Sequence, residues 1–322
     1  MNSKAKISIV FGTYKDPELI IPTLEGLRSQ IFKDFVVYVV DDNDPDEMKL
    51  VERAKEIISG YSELDIHYIK NDINIGVPHV YRKWIDLVDS KYFYICGAGD
   101  VLLPKSLHSM INFLTSHDTA SMVHGLEHFE RSDKTTYEIK HPPRETGEYS
   151  IVKYLKFHLL GGKENLGWSQ ASAMYRTEFF KIKDIPITNY HFWDHYFHCV
   201  YLLHSDKIGF LNDYLAIRHV DSNLDVWAQQ NTFTNRLERR VQTSKFIDEF
   251  EVLLIQKKYP INWYRLKNAI QIIKGIGYCH TSNEFNLASR VAISDLLSVL
   301  SIGMLRIVLY PLLKLFSLLR KY

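Results

Sequence analysis

The sequence predicts an α/β protein: a mostly parallel sheet with helices on both faces, continued by a C-terminal helical extension. Three observations predict it. Short apolar runs recur at residues 7–11, 35–40, 66–69 and 92–96, and the stretches between them carry apolar residues at helical spacing. Runs without polar alternation belong to strands buried on both faces, as in a parallel sheet covered by helices. Each run then ends in a polar cluster, at 13–16, 41–44, 71–76 and 97–100. In open α/β sheets, ligands bind beyond the carboxyl ends of strands, so four clusters on one edge point to a site there.

The elements follow in order. KISIVF is the first strand. GTYKDPE turns out of it, with Asp16 as the expected N-cap and Pro17 at the first helical position. Ile20, Ile21, Leu24, Leu27 and Ile31 continue as a helix. FVVYVV is the second strand, and residues 48–59 read as a helix. IHYI is the third strand, followed by a helix over 77–89. YFYIC is the fourth, followed by a helix over 104–115, and SMVHGL is a fifth strand. Residues 131–149 are polar and hold a Pro-Pro pair, which suits an excursion rather than a domain linker. NLGWSQASAMYRTEFF, HFWDHYFHCVYLL and KIGFLNDYLAIRHV add further elements.

Composition narrows the function. The chain has 322 residues, 46% hydrophobic and 24% charged, as folded domains do. A net charge of +1 gives no electrostatic case for nucleic acid. Cys96, Cys199 and Cys279 are odd in number and scattered, which argues against a disulfide framework or a zinc site and suits a reducing cytosol. Residues 7–11 are too short an apolar run for a signal peptide, and no segment reaches the ~18–20 apolar residues of a membrane-spanning helix. Neither a dinucleotide glycine fingerprint, a P-loop nor a nucleophile elbow is present.

The ordered set ISIVFGTYKDPE, VVYVVDDNDPDE, IKNDINIGV and YFYICGAGDVLLP resembles the N-terminal half of family 2 glycosyltransferases. The Trp193-Asp194 pair and LNDYLAIRHVDSN extend the likeness over roughly residues 6–225. The resemblance implies the GT-A fold, a Rossmann-like sheet. It implies a catalytic domain over 1–230, with a nucleotide-sugar half (1–130) and an acceptor half (131–230), and a helical extension over 231–322. The implied reaction moves a sugar from a nucleoside-diphosphate sugar (UDP-, dTDP- or GDP-linked) to an acceptor hydroxyl with inversion.

The same resemblance assigns roles. Thr13, Tyr14, Asp16, Asp42, Asn74, Gly76 and Gly99 would hold the nucleotide-sugar. A carboxylate at a strand end can accept hydrogen bonds from base or ribose; Asp42 could equally cap a turn, and Asn74 with Gly76 could be no more than a turn. Asp100 and His219 would hold a divalent cation, Mn²⁺ or Mg²⁺, on the diphosphate. In the family the fourth loop commonly carries several acids; here Gly97 and Gly99 stand in the first two places and Asp100 remains. The alternative for Asp100 is the N-cap of the helix near Pro104. Asp194 would be the base that takes the acceptor proton, with Trp168 and Trp193 lining the acceptor pocket. Two rivals are a nucleotidyltransferase, whose glycine-rich, lysine-containing loop is missing here, and a catalytically impaired partner subunit.

Residues 290–322 carry no acid after Asp295, and Arg306, Tyr310, Lys314, Ser317 and Lys321 fall on one helical face. Pro311 should kink that helix. A basic stripe on an apolar helix suits an anionic bilayer; packing on the catalytic domain is the alternative. The expected location is the cytoplasmic face of the cell membrane, acting on a glycan or a polyprenyl-linked acceptor of a bacterial envelope polysaccharide.

Overall fold

Strand β1 (Ile7–Thr13) lies at the centre of the N-terminal half of the sheet and is buried almost throughout. It pairs in parallel with β2 (Phe35–Asp41) on one side and β4 (Tyr92–Ile95) on the other, and β2 pairs in parallel with β3 (Ile66–Lys70). The computed structural model describes residues 6–131, 136–137, 145–150, 170–180, 205–220, 240–241, 244–245, 247–249, 251–256, 261–275 and 282–299. The chain divides into two compact units, Met1–Leu224 and Asp225–Tyr322.

The pleat of β1 splits its side chains between two layers. Ile7, Ile9 and Phe11 face a core shared with α1 (Ile20–Arg28), α2 (Met48–Ser59) and α4 (Ser106–Ser116), through Leu24, Leu27, Ala54, Ile57, Leu107, Met110 and Leu114. The other face is covered by α3 (Val77–Leu87). A Cβ on Gly12 would stand 3.3 Å from Trp84 and 3.6 Å from Val80, so α3 lies directly on β1. Helices thus cover both faces.

The first helix starts as expected but in two steps. Asp16 caps a short 3-10 turn, Pro17–Leu19, by accepting a hydrogen bond from the Glu18 N–H at 3.2 Å, and α1 follows directly.

The second half of the sheet departs from the parallel pattern. The strand order is β3-β2-β1-β4-β9-β6-β10-β5, where β5 is Val101–Leu102, β6 Ala120–Arg131, β9 Ala173–Arg176 and β10 Lys207–Val220. β9 runs antiparallel between β4 and β6, β6 and β10 are parallel, and β5 is antiparallel to β10. The short strands β7 (Thr136–Tyr137) and β8 (Gly147–Ser150) pair antiparallel with β6 and β10. The expected fifth strand is β6, longer than the sequence suggested. The sheet is therefore mixed, parallel through β3-β2-β1-β4 and, beyond it, antiparallel except for the β6–β10 pair.

The C-terminal unit contains α5 (Glu251–Gln256), α6 (Ile261–Gly275) and α7 (Ser282–Val299). Ile272, Ala288 and Ala292 share one small core with Val241. Residues 290–299, expected as the start of an amphipathic tail, are the last turns of α7, and there Ala292, Asp295 and Leu296 are buried. The remainder of that tail, 300–322, lies outside the described residues. Among the described residues no helix is long and apolar enough to cross a membrane.

Candidate active site

The carboxyl ends of β1, β2, β3 and β4 present four loops along one edge, and main-chain bonds tie three of them together. The Asp42 N–H donates to the Thr13 carbonyl at 3.0 Å, and the Asn71 N–H to the Asp41 carbonyl at 2.9 Å. Thr13 is buried, and its Oγ1 has no hydrogen-bond partner. A buried hydroxyl left unpaired is costly, and this one ends the central strand. Tyr14, next in sequence, is 48% exposed at the rim. Lys15 has φ +62°, a left-handed conformation uncommon for a residue with a Cβ. Its N–H donates to Asn43 Oδ1 at 2.6 Å, which holds the strained turn against the β2 loop.

The acid pair after β2 divides its work. Asp41 is fully buried; its Oδ1 accepts from the N–H and the side-chain amide of Asn43, at 2.9 and 3.0 Å, and its Oδ2 from the Tyr68 hydroxyl. Burial and then this bond push the Tyr68 hydroxyl well above its ordinary pKa. The turn-capping role that the sequence left open thus falls to Asp41 and Asn43. Asp42 reaches across to the loop after β3. Its Oδ1 accepts from Asn71 Nδ2 at 2.8 Å and from the Ile75 N–H at 2.9 Å, its Oδ2 from the Gly76 N–H at 2.9 Å. The Asn74 side-chain amide donates to the Asp42 carbonyl at 2.9 Å. A carboxylate has about four acceptor positions, so Oδ2 keeps room for one more donor. Gly76, the N-cap of α3, has φ +77° and ψ 160°, a region reserved for glycine. Lys83 on α3 closes the arrangement by donating to Asn71 Oδ1.

The fourth loop is built around Asp100. It does not cap α4, whose N-cap is Lys105. Its Oδ2 accepts from the Gly97 N–H at 2.9 Å, closing the turn that the Asp100 N–H to Gly97 carbonyl bond also makes. Thr23 on α1 grips the same turn, donating to the Asp100 carbonyl and accepting from the Gly99 N–H, each at 2.9 Å. Gly99 has φ +101°, and a Cβ there would lie 3.4 Å from Leu19, so the 3-10 turn before α1 is in close contact with this loop. The residue is partly exposed, yet desolvation of its carboxyl raises the Asp100 pKa, opposed by Arg218, the Gly97 N–H and His219. Tyr94 and Cys96, buried beside it, have their own pKa values pushed well up, chiefly by burial.

Arg218 and His219 arrive from the other end of the chain. β10 runs antiparallel to β5 with Ile217 opposite Val101, so one further step of that register puts Arg218 alongside Asp100. His219 lies across from Glu130 in the β6–β10 ladder, and its Nδ1 is 2.9 Å from Glu130 Oε2.

The structure therefore brings Thr13, Tyr14, Asp16, Asp42, Asn74, Gly76, Gly99, Asp100 and His219 to one edge of one sheet. Asp194, Trp168 and Trp193 lie outside the described residues. Sequence reasoning missed Asn71, Thr23, Lys83 and Glu130. Their partners stand 12 to 89 residues away, and only Asn71 left a trace, as the first residue of the 71–76 polar cluster. Among the described residues no group of three or more His, Cys, Asp or Glu is placed to hold a metal by itself. The donor set still fits a cation in part: a desolvated Asp100 carboxylate with one oxygen outside any hydrogen bond, and an imidazole nitrogen on the next strand.

A four-stranded parallel half with its loops on one edge, continued by a mixed half that returns a basic strand to those loops, defines a GT-A-fold protein. The same fold is found in S. aureus TarS crystallised with UDP-GlcNAc, at a TM-score of 0.64 and 15% identity, over 90% of this chain and 81% of that one. The chain belongs to glycosyl transferase family 2, whose family model matches residues 8–182. Among its relatives, an uncharacterized glycosyltransferase of Methanocaldococcus jannaschii is 33% identical over 117 residues, 35% of this chain and 39% of that protein. The amylovoran biosynthesis glycosyltransferase AmsB of Erwinia amylovora is 33% identical over 95 residues, 29% of this chain and 30% of that protein. The matched segment spans well under half the length of these curated relatives.

Proposed function

We propose that this protein is an inverting glycosyltransferase that passes a sugar from a nucleoside-diphosphate donor to the hydroxyl of a glycan. Family membership supports the reaction class. The observation that carries the site is Asp100: a desolvated carboxylate with one oxygen uncommitted, beside Arg218 and His219, at the edge where four loops meet.

The donor's nucleoside would lie over the loops of Thr13, Tyr14, Asp16 and Asp42. The remaining acceptor position of Asp42 supplies a hydrogen-bonding atom, and Thr13 ends the central strand beneath it. Asn74 and Gly76 support this wall through Asp42, and Gly99 lets the backbone approach the sugar and diphosphate. Asp100 and His219 would hold Mn²⁺ or Mg²⁺, with donor phosphate and water oxygens completing the coordination. When bound, that cation neutralises charge developing on the leaving diphosphate. Arg218 adds a fixed positive charge at the same place.

The acceptor oxygen attacks the anomeric carbon, forming the new glycosidic bond with inverted configuration. The bond from that carbon to the diphosphate oxygen breaks, and its electron pair leaves with the nucleoside diphosphate. Asp194 takes the acceptor proton as the bond forms, with Trp168 and Trp193 as the aromatic wall of the acceptor site. The AmsB likeness favours an envelope polysaccharide as the acceptor class. The basic, apolar sequence of 300–322 favours work at the cytoplasmic membrane surface.

A panel of UDP-, dTDP- and GDP-sugars, assayed with Mn²⁺, Mg²⁺ and EDTA and read by donor turnover and thermal shift, tests the reading. Turnover of one donor, lost in Asp194→Asn with nucleotide binding kept, is expected. Nucleotide binding with no turnover of any donor would favour a non-catalytic partner subunit. Full activity and cation response in Asp100→Ala would remove the metal assignment. A 300–322 deletion that still pellets with anionic vesicles would remove the membrane assignment.

A further inference from the structure

We infer that Glu130 is a positioning residue: it fixes His219 as the Nδ1–H tautomer and so keeps Nε2 as the ring's lone-pair atom. The inference rests on the site reading above, in which His219 acts beside Asp100.

Nδ1 of His219 stands 2.9 Å from Glu130 Oε2. A carboxylate accepts but does not donate, so the proton shared between them belongs to the ring nitrogen. A histidine nitrogen held in this way determines which nitrogen is left to act. With Nδ1 committed, Nε2 carries the lone pair, and an imidazole nitrogen with a lone pair is what a metal ligand needs.

The fold makes the arrangement rigid. Glu130 and His219 are register partners on the parallel strands β6 and β10, so ladder hydrogen bonds fix their spacing. Two residues back along β6, His128 stacks on Tyr214 of β10 with ring centroids 3.8 Å apart and planes within 9°. This stack ties the same two strands together from a second point. The other flank of β10 is held by β5, through Ala216 with Leu102 and Ile217 with Val101. Asp100 directly precedes β5, so the same pairing sets the backbone of β10 beside the Asp100 loop. Glu130 thus acts on the site through His219 and need not touch substrate itself.

The test uses the full-length chain with ¹⁵N-labelled histidine. Spectra are taken about two pH units above the ordinary imidazole pKa, where an unperturbed ring is neutral. A His219→Asn spectrum identifies the signals. The wild type should show Nδ1 protonated and Nε2 bare. Glu130→Ala should release the ring to a mixture rich in the Nε2–H form. Glu130→Gln keeps an acceptor oxygen and should restore the wild-type tautomer. In the presence of UDP, Mn²⁺ affinity should fall roughly 10- to 100-fold in Glu130→Ala and largely recover in Glu130→Gln.

A wild-type ring already in the Nε2–H form overturns the proposal, and that result needs no variant to fold. An unchanged tautomer in a folded Glu130→Ala protein overturns it equally. The metal reading is tested separately, by ¹⁴N coupling from His219 to Mn²⁺ in the electron paramagnetic resonance of the UDP complex. With the tautomer as expected and no such coupling in the wild type, the positioning role stands and the metal assignment of His219 falls.

Discussion

Asp42 and Asp100 each end a strand of one sheet, and they are held in opposite ways. Three N–H donors from the 71–76 segment converge on the Asp42 carboxylate. Asp42→Ala should therefore cost stability as well as nucleotide affinity, roughly 3 kcal/mol, because three donors lose a charged acceptor. Urea unfolding checks this; a variant of wild-type stability that binds nucleotide poorly would make Asp42 a pure ligand contact. Asp100 has one N–H donor and a desolvated carboxyl, and its pKa is raised. A carboxyl whose folded pKa lies above its unfolded value weakens the fold once ionised. That penalty is in full at neutral pH, fades as pH falls through the raised value, and is gone below the ordinary value of about 3.9. Asn has the same shape, bears no charge and can still accept from Gly97. Asp100→Asn should then melt higher than the wild type at neutral pH, with the two curves meeting in acid. The variant should also lose the thermal shift given by cation with nucleotide. A lower melting temperature at neutral pH would show that the carboxylate already has a stabilising partner. Both acids were legible in the sequence as strand-end residues. Their division of labour was not, since it depends on which backbone N–H groups the β3 loop turns toward Asp42.

At the scale of elements, the packing of α1 on β5 governs the Asp100 loop. A Cβ on Gly26 would meet the Leu102 nitrogen at 2.9 Å, Val101 Cγ1 at 3.0 Å and the Leu102 carbonyl at 3.2 Å. Replacing a helix-interior glycine by alanine gains about 1 kcal/mol of helix propensity. Overpacking against backbone costs roughly 1–3 kcal/mol, so the balance for Gly26→Ala is destabilising. Because β5 follows Asp100 directly, the same variant should lose nucleotide–cation affinity, readable as a smaller thermal shift on adding UDP and Mn²⁺. An unchanged shift would uncouple this packing from the site. The strands β1 to β4 and helices α1 to α4 announced themselves through apolar runs and period. The two-residue β5 and the antiparallel β9 did not. A two-residue strand has no period to detect, and the direction of β9 is decided by its partners β4 and β6, which lie 50 to 80 residues earlier.

At the scale of the whole molecule, the chain forms two units, and the second has its own polar centre. Asp295 on α7 is fully buried. It accepts from Ser244 Oγ at 2.5 Å, Asn268 Nδ2 at 2.9 Å and Arg265 Nη1 at 3.3 Å. Burial raises its pKa in spite of these partners. Arg265 also reaches Asp248 at 2.6 Å. Asp295→Ala strips a buried guanidinium of one of its two close carboxylates, at a cost of roughly 3 kcal/mol. Hydrogen exchange should show the loss in α6 and α7, with β1 to β4 protected as before. Equal deprotection in both units would mean that the chain unfolds as one.

The sequence by itself determined the parallel N-terminal half, the placing of four polar loops on one edge, and the family. These features are local: apolar period, caps and turn residues act over a few neighbours and leave their mark in order along the chain. Only the tertiary structure decided that Asp42 clamps the β3 loop, that Arg218 comes to Asp100, that Glu130 stands beside His219, and that Ala292, Asp295 and Leu296 are buried in the helical unit. Each of these rests on a pairing between segments far apart in sequence. Strand register and helix packing choose such partners, and neither side of a long-range contact carries the address of the other.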